Sequence, residues 1–231
     1  MSIGFFTEGI KFDLPHPPIN DRTIILVCKV FRNAWQLLIN HPPSGFNLKK
    51  AKEDTITENL VEIIESRLRK NGEIEGFNKI FFGKVIREPK ITNFNKKHPD
   101  KMPDIFFDLK REDLPVLSEQ DGLFVECKPV DTKHAVYSCY CKKGLIRFVR
   151  GDYAWAMQQA LMVGYVEKSY SFGKLASVLG NVKYDSYFNT KSHYQVGVHT
   201  LYQSVHKRIF KYLGSHGTAC PITVSHLWLA V

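Results

Sequence analysis

Apolar residues recur at helical spacing along the first part of the chain, at Ile24, Val27, Cys28, Phe31, Trp35 and Leu38, and predict an amphipathic helix. Asn20 or Asp21 supplies its cap, and the helix runs to about Asn40, where His41-Pro42-Pro43 stops it and Ser44-Gly45 opens a loop. A second helix is predicted over roughly residues 51–70, closed by Asn71-Gly72. Three short apolar runs bounded by turn residues then read as strands: KIFFGKVIREP, ended by Pro89, then PDIFFDL, then LFVECKPV. From Gly151-Asp152 the spacing of Ala154, Met157, Leu161 and Tyr165 predicts a helix reaching about Tyr165. Beyond it, QVGVHTLY reads as a strand, VHKRIFKYLG as a basic amphipathic helix ended by Gly214, and ITVSHLWLAV as a closing strand. The order helix–strand–strand–strand–helix–strand predicts an α/β or α+β domain with a central sheet.

Composition narrows this picture. A chain of 231 residues, 44% hydrophobic and 24% charged, suits one globular domain with a sizeable core. It divides into an N-terminal helical extension (1–50), a core (51–170) and a C-terminal extension (171–231). Cys28, Cys127, Cys139, Cys141 and Cys220 are scattered without a CxxC pair. No disulfide framework is expected, and a reducing cytoplasm is the simplest compartment. MSIGFFTEGIKFDLPHPP lacks a basic start followed by a long apolar core, so no signal peptide is expected, and no run is long enough to span a bilayer. A net charge of +9 and a pI near 9.2 favour a polyanionic partner, nucleic acid before an anionic membrane surface.

The third apolar run holds an anomaly. Period-two geometry puts Phe124, Glu126 and Lys128 on one face of the strand, and Val125 and Cys127 on the other. A carboxylate and an ammonium inside an apolar strand form either a structural ion pair or a reactive group. Other acid-x-Lys triplets occur, but Glu88–Lys90 encloses a proline, Asp131–Lys133 falls in a turn past Pro129, and Asp108–Lys110 sits where its apolar run breaks up. Only Glu126–Lys128 directly follows an apolar strand. Twenty-one residues separate Glu126 from Asp104, which with Pro103 opens the preceding strand.

Pro103-Asp104 followed by Glu126-Cys127-Lys128 resembles the signature of the PD-(D/E)xK phosphodiesterases, the restriction-endonuclease-like nucleases. The resemblance covers roughly residues 53–165. It implies a restriction-endonuclease-like core with a central mixed β-sheet flanked by helices, and a Mg2+-dependent nuclease in which Mn2+ can substitute. DNA is favoured over RNA as substrate, and the endonuclease roles implied are restriction, anti-phage defence, recombination or repair. Asp104 and Glu126 would bind the metal together with the main-chain carbonyl of Cys127, and Lys128 would orient the attacking water. A catalytically inactive binding module on the same fold is the alternative.

Many members of that superfamily add a glutamate from the preceding helix. With Leu60 at the centre of the apolar stripe and about 100° per residue, Ile56, Ile63 and Ile64 fall within roughly 60° of it, Glu53 about 20° away, and Glu58, Glu62 and Glu65 on the solvent side. Glu53 therefore faces inward if the helix extends back to it; Asp54 or Thr55 as the cap would leave it outside. Lys133, Lys142, Lys143, Arg147 and Arg150 follow the strand closely and suit a phosphate track, which Lys207, Arg208 and Lys211 would extend. Gln158 or Gln159 would face the cleft, although neither makes the Gln-x-x-x-Tyr spacing of the RecB-like nucleases. Tyr153 and Trp155 are candidates for base stacking. His134, Cys139 and Cys141 lack a fourth zinc ligand. A second copy in a homodimer, or a partner protein, would supply recognition; a separate reading is an interaction protein whose helix 21–40 dimerises through Phe31, Trp35 and Leu38.

Overall fold

The protein is described by a computed structural model covering residues 12–111, 113–197, 201–212 and 217–230. Residues 1–11, the middle of QVGVHTLY and the Gly214 stop lie outside the described residues. Two helical segments precede the sheet: α1, Asp21–Asn40, and α2, Glu53–Glu62, which runs on through a wide-turn stretch, Ile63–Arg69. The strands β1 (Phe82–Arg87), β2 (Ile105–Leu109) and β3 (Gly122–Val130) follow. A second wide-turn helix, Val136–Leu145, continues into α3, Ile146–Arg150, and leads to β4, Gln159–Val166. The chain ends with α4 (Phe172–Leu179), α5 (Asp185–Phe188), β5 (Thr190–Val196), β6 (Leu201–His206) and β7 (Ile222–Ala230).

All seven strands belong to one mixed sheet in the order β1-β2-β3-β4-β7-β6-β5. β1, β2 and β3 pair antiparallel, β3, β4 and β7 parallel, and β7, β6 and β5 antiparallel. β3 and β4 are parallel neighbours, so their connection must cross the sheet, which the helix at 136–150 does. Helices flank the sheet, and one hydrophobic core runs from Ile19 to Leu229. Among the described residues, no helix is long and apolar enough to cross a membrane.

α1 begins where expected, with the Asn20 side chain accepting the Arg22 N–H at its N-terminus. Its apolar face is used internally. Phe31, Trp35 and Leu38 are all buried, and Trp35 stacks on Tyr165, so these three side chains offer no dimer surface. The second helix also matches, but its wide turns change its phase. Glu65, expected towards solvent, accepts the Val85 N–H at 2.5 Å and pairs with Arg69.

Two expected helices are absent. Residues 151–165 do not form one: the helix lies earlier, Gly151 ends it at φ 74°, and the apolar run QALMVGYV is β4. A strand buried on both faces is continuously apolar, so spacing alone does not separate it from a buried helix. VHKRIFKYLG is not helical in its described part either. Its first residues finish β6, and Arg208 is pulled into the interior at 1% exposure. The Arg208 guanidinium donates to the carbonyls of Ala154, Trp155, Met157 and Cys220. Those four tertiary bonds outweigh the local helical pattern, and they remove Arg208 from any phosphate track.

On the face of the sheet that carries Glu126, further along towards β6, buried polar groups form a chain. Tyr140 Oη lies 3.1 Å from His226 Nδ1, Ser204 Oγ 2.7 Å from both His226 Nε2 and His206 Nε2, and His206 Nδ1 2.9 Å from the Phe188 carbonyl. A carbonyl only accepts, so His206 donates from Nδ1, and each remaining proton is then assigned in turn: Ser204 to His206, His226 to Ser204, Tyr140 to His226. The assignment needs both imidazoles neutral. Burial pushes His206 down to about 4 and His226 well below its ordinary value. Both depressed groups stabilise the fold above pH ~6.5, and the contribution disappears as pH falls towards 4. Glu126 and Glu53, whose pKa values are raised, act in the opposite sense, so the effect is read in a Glu53→Gln/Glu126→Gln background. There, urea unfolding is expected to lose about 3 kcal/mol or more between pH 7 and pH 4.

Candidate functional site

The register that pairs Ile105 with Val125 and Phe106 with Phe124, extended by one residue, sets Asp104 opposite Glu126. Directly opposed residues share a face of the sheet, so two carboxylates stand side by side there, an arrangement that is unfavourable unless a cation intervenes. The intervening cation is Lys128, two residues further along the same face. Its Nζ lies 2.6 Å from Glu53 Oε1, 3.0 Å from Glu126 Oε1 and 3.3 Å from Asp104 Oδ2, and it donates to the Cys127 carbonyl at 2.6 Å. The acid and lysine residues singled out by the sequence thus meet around one ammonium group. Cys127, named through its main chain, contributes both that carbonyl and an N–H donated to Asp104 Oδ2 at 2.6 Å.

Glu53 reaches the cluster because α2 begins at Glu53 itself, with Lys52 as the capping position. Neither Asp54 nor Thr55 ends the helix early, and the inward phase expected of Glu53 holds. Thr57, one turn on, bonds the Glu53 carbonyl and the Tyr165 hydroxyl, both at 2.9 Å, which fixes the start of the helix against β4.

The crossover helix closes the opposite side. A Cβ on Gly144 would lie 3.3 Å from the Cγ atoms of both Glu126 and Lys128 and 2.7 Å from Met162 Cε, so a glycine there lets the helix lie directly on the two side chains. From the same helical segment Arg147 brings Nη1 to 3.1 Å from Glu126 Oε1. Tyr153, fully buried, donates its hydroxyl to Glu126 Oε2. The sequence offers Tyr153 for base stacking or as an ordinary core or surface residue of a helix. Its contact with Glu126 follows from the turn at Gly151, which no local pattern announces.

Electrostatics separate the members. Burial raises Glu126 to about 7, the nearby Asp104 adds to the rise, and Lys128, Arg147 and the Tyr153 hydroxyl oppose it. Glu53 is also raised, by burial first, against the pull of Lys128. Burial alone would lower Lys128, but the carboxylates of Glu126, Asp104 and Glu53 outweigh it and hold the ammonium charged far above neutrality. Three carboxylates against Lys128 and Arg147 leave the cluster short of positive charge when all are ionised.

Among the described residues no set of three or more His, Cys, Asp or Glu side chains surrounds a common point as metal ligands. The carboxylates converge on Lys128 instead. The donor set nevertheless fits a hard divalent cation, being all oxygen. One donor is also unsatisfied: Glu126 Oε1, although close to both cations, accepts no hydrogen bond of good geometry and is buried.

The other expected site residues fall elsewhere. Lys133, Lys142, Lys143 and Arg150 are exposed on the segment following β3, with Arg150 lying over the Tyr187 ring. Gln158 donates to the His16 carbonyl, and Gln159 accepts the Ile19 N–H. Both amides therefore anchor the chain before α1 rather than face a cleft. Asp131 bonds the N–H groups of Lys133 and His134, confirming a turn at that triplet. His134 is paired with Asp131, and Cys139 and Cys141 are buried thiols. In comparisons with known proteins, no family model, curated protein or solved structure matches the chain.

Proposed function

We propose that the protein is a metal-dependent nuclease of the restriction-endonuclease-like class, hydrolysing phosphodiester bonds at the cluster around Lys128, with DNA as the favoured substrate. One observation carries the reading. Asp104, Glu126 and Lys128, chosen from sequence for this chemistry, converge with Glu53 on a single point. The element order also supports it: helix, three antiparallel strands, a crossover helix and a parallel fourth strand, with Asp104 at the start of β2 and Glu126 on the adjacent β3.

Asp104, Glu126 and the Cys127 carbonyl would hold a Mg2+ ion. Such an ion would offset charge on the phosphoryl oxygens and acidify a bound water. The carboxylates around Lys128 favour its ammonium form, and as a donor it would orient the attacking water and offset negative charge that grows in the transition state. Glu53 holds the ammonium in that position. Arg147, partly exposed beside Glu126, is placed to meet a non-bridging phosphate oxygen with one edge of its guanidinium. Tyr153 fixes the Glu126 carboxylate from behind.

The test incubates the purified protein with single-stranded, double-stranded and branched DNA and with RNA, in Mg2+ or Mn2+, with EDTA and Lys128→Ala as controls. Cleavage is expected with either metal and is lost in both controls. No cleavage of any substrate under either metal overturns the enzymatic reading and leaves a nucleic-acid-binding module.

A further inference from the structure

A second concavity lies apart from the cluster and is joined to it through the segment 151–155, which carries Tyr153 to Glu126 and Trp155 to the concavity. A cavity of about 810 Å3 is lined by Phe12, Phe94 and Trp155, with Lys96, Glu119 and Gln120 among its polar residues. That volume is within the roughly 300–1,000 Å3 of small-molecule sites. Two of the rings are held from behind: Trp155 donates its indole N–H to the Thr92 carbonyl at 2.8 Å, and Phe94 stacks on Phe210 at 4.3 Å. Gln120 is only 6% exposed, and its side-chain oxygen is buried without a hydrogen-bond partner. A buried amide left unpaired in an aromatic cavity suits a flat ligand whose edge carries hydrogen-bonding groups. The exposed Lys96 places positive charge at the rim.

We propose that this cavity receives one unpaired base of a nucleic-acid strand whose phosphate backbone continues to the Lys128 cluster. The substrate class rests on the nuclease reading above. Faces of Phe94 and Trp155 supply stacking, which any base accepts, while Gln120 and Glu119 meet the base edge. The route between the two sites is short in chain terms. Trp155 is two residues beyond Tyr153, which bonds Glu126, and the Phe94 N–H donates to the Gly151 carbonyl at 3.3 Å. A strand with its scissile phosphate at the cluster would place a flanking nucleotide, not the reacting one, in the cavity. Strands with an unpaired base near the cleavage point are then preferred to fully paired duplex.

The test uses the intact chain in EDTA and short single-stranded DNA carrying one abasic position, moved stepwise along the oligonucleotide. Affinity is expected to fall about tenfold at one position, measured from the cleavage point, and to change little at the others. Tryptophan fluorescence is expected to be quenched on binding, with the quench absent in Trp155→Leu; the abasic scan, made on unaltered protein, does not depend on that variant folding. Less than a twofold change at every position overturns the proposal. So does equal binding of free deoxynucleoside monophosphates and of the strand, which would make the occupant a free nucleotide. Position-dependent binding without any cleavage in metal keeps the base site and sinks the nuclease reading; cleavage without position dependence sinks the base site alone.

Discussion

Glu126→Gln is expected to lower metal-dependent cleavage by on the order of 10^3-fold, about 4 kcal/mol of barrier, while leaving the protein folded. Glutamine keeps the shape and one oxygen for the Tyr153 hydroxyl but loses the charge. In the interior that charge is unfavourable, as the rise of Glu126 to about 7 records. Lys128 keeps Glu53 and Asp104 as partners. Unfolding stability is therefore expected within about 1 kcal/mol of the parent, or slightly above it. A loss of about 3–5 kcal/mol with cleavage unchanged would instead mark Glu126 as a structural partner of Lys128 and Arg147. Cleavage rates and urea unfolding, measured on the same preparation, separate the two.

Arg208→Ala is expected to be the most destabilising single change away from the cluster. The guanidinium is buried against carbonyls rather than a carboxylate, so its removal strands the oxygens of Ala154, Trp155, Met157 and Cys220. Each buried acceptor left unpaired costs about 1–3 kcal/mol where water does not enter. A total of at least about 3 kcal/mol corresponds to a Tm lower by roughly 6–12 °C for a chain of this size. Because those carbonyls belong to the segment carrying Tyr153 and Trp155, cleavage is expected to fall as well, even at temperatures where the variant is folded. Differential scanning calorimetry and cleavage at 20 °C test the pair of effects. An unchanged Tm would show that the carbonyls find other donors.

The first half of the chain was legible because its signals are local. α1 has a capping asparagine and a regular apolar stripe, and β1, β2 and β3 are short apolar runs cut by prolines and turns. Asp104 and Glu126 stand out in the sequence because one opens an apolar run and the other interrupts the next, and the register sets them opposite each other. The second half resisted for a different reason. β4 is buried on both faces between β3 and β7, so it carries no alternation to mark it as a strand. The β5–β6 hairpin turns at Gly197, inside a segment that reads as one strand. Arg208 looks like a surface residue until the loop at 154–157 folds over it. At the site, Glu53 was within reach of helical phase, and Arg147 of charge clustering, whereas Tyr153 depends on a tertiary turn.

The central claim is that the oxygens now gathered on the Lys128 ammonium form the seat of a divalent ion during catalysis. Anomalous diffraction from crystals soaked in Mn2+ tests it directly. The expected result is a peak bounded by Asp104, Glu126 and the Cys127 carbonyl, with Lys128 Nζ withdrawn from the Cys127 oxygen but still beside the ion's outer ligands. Saturating Mn2+ with no peak there, and with Lys128 still bonded to Glu53 and the Cys127 carbonyl, would contradict it.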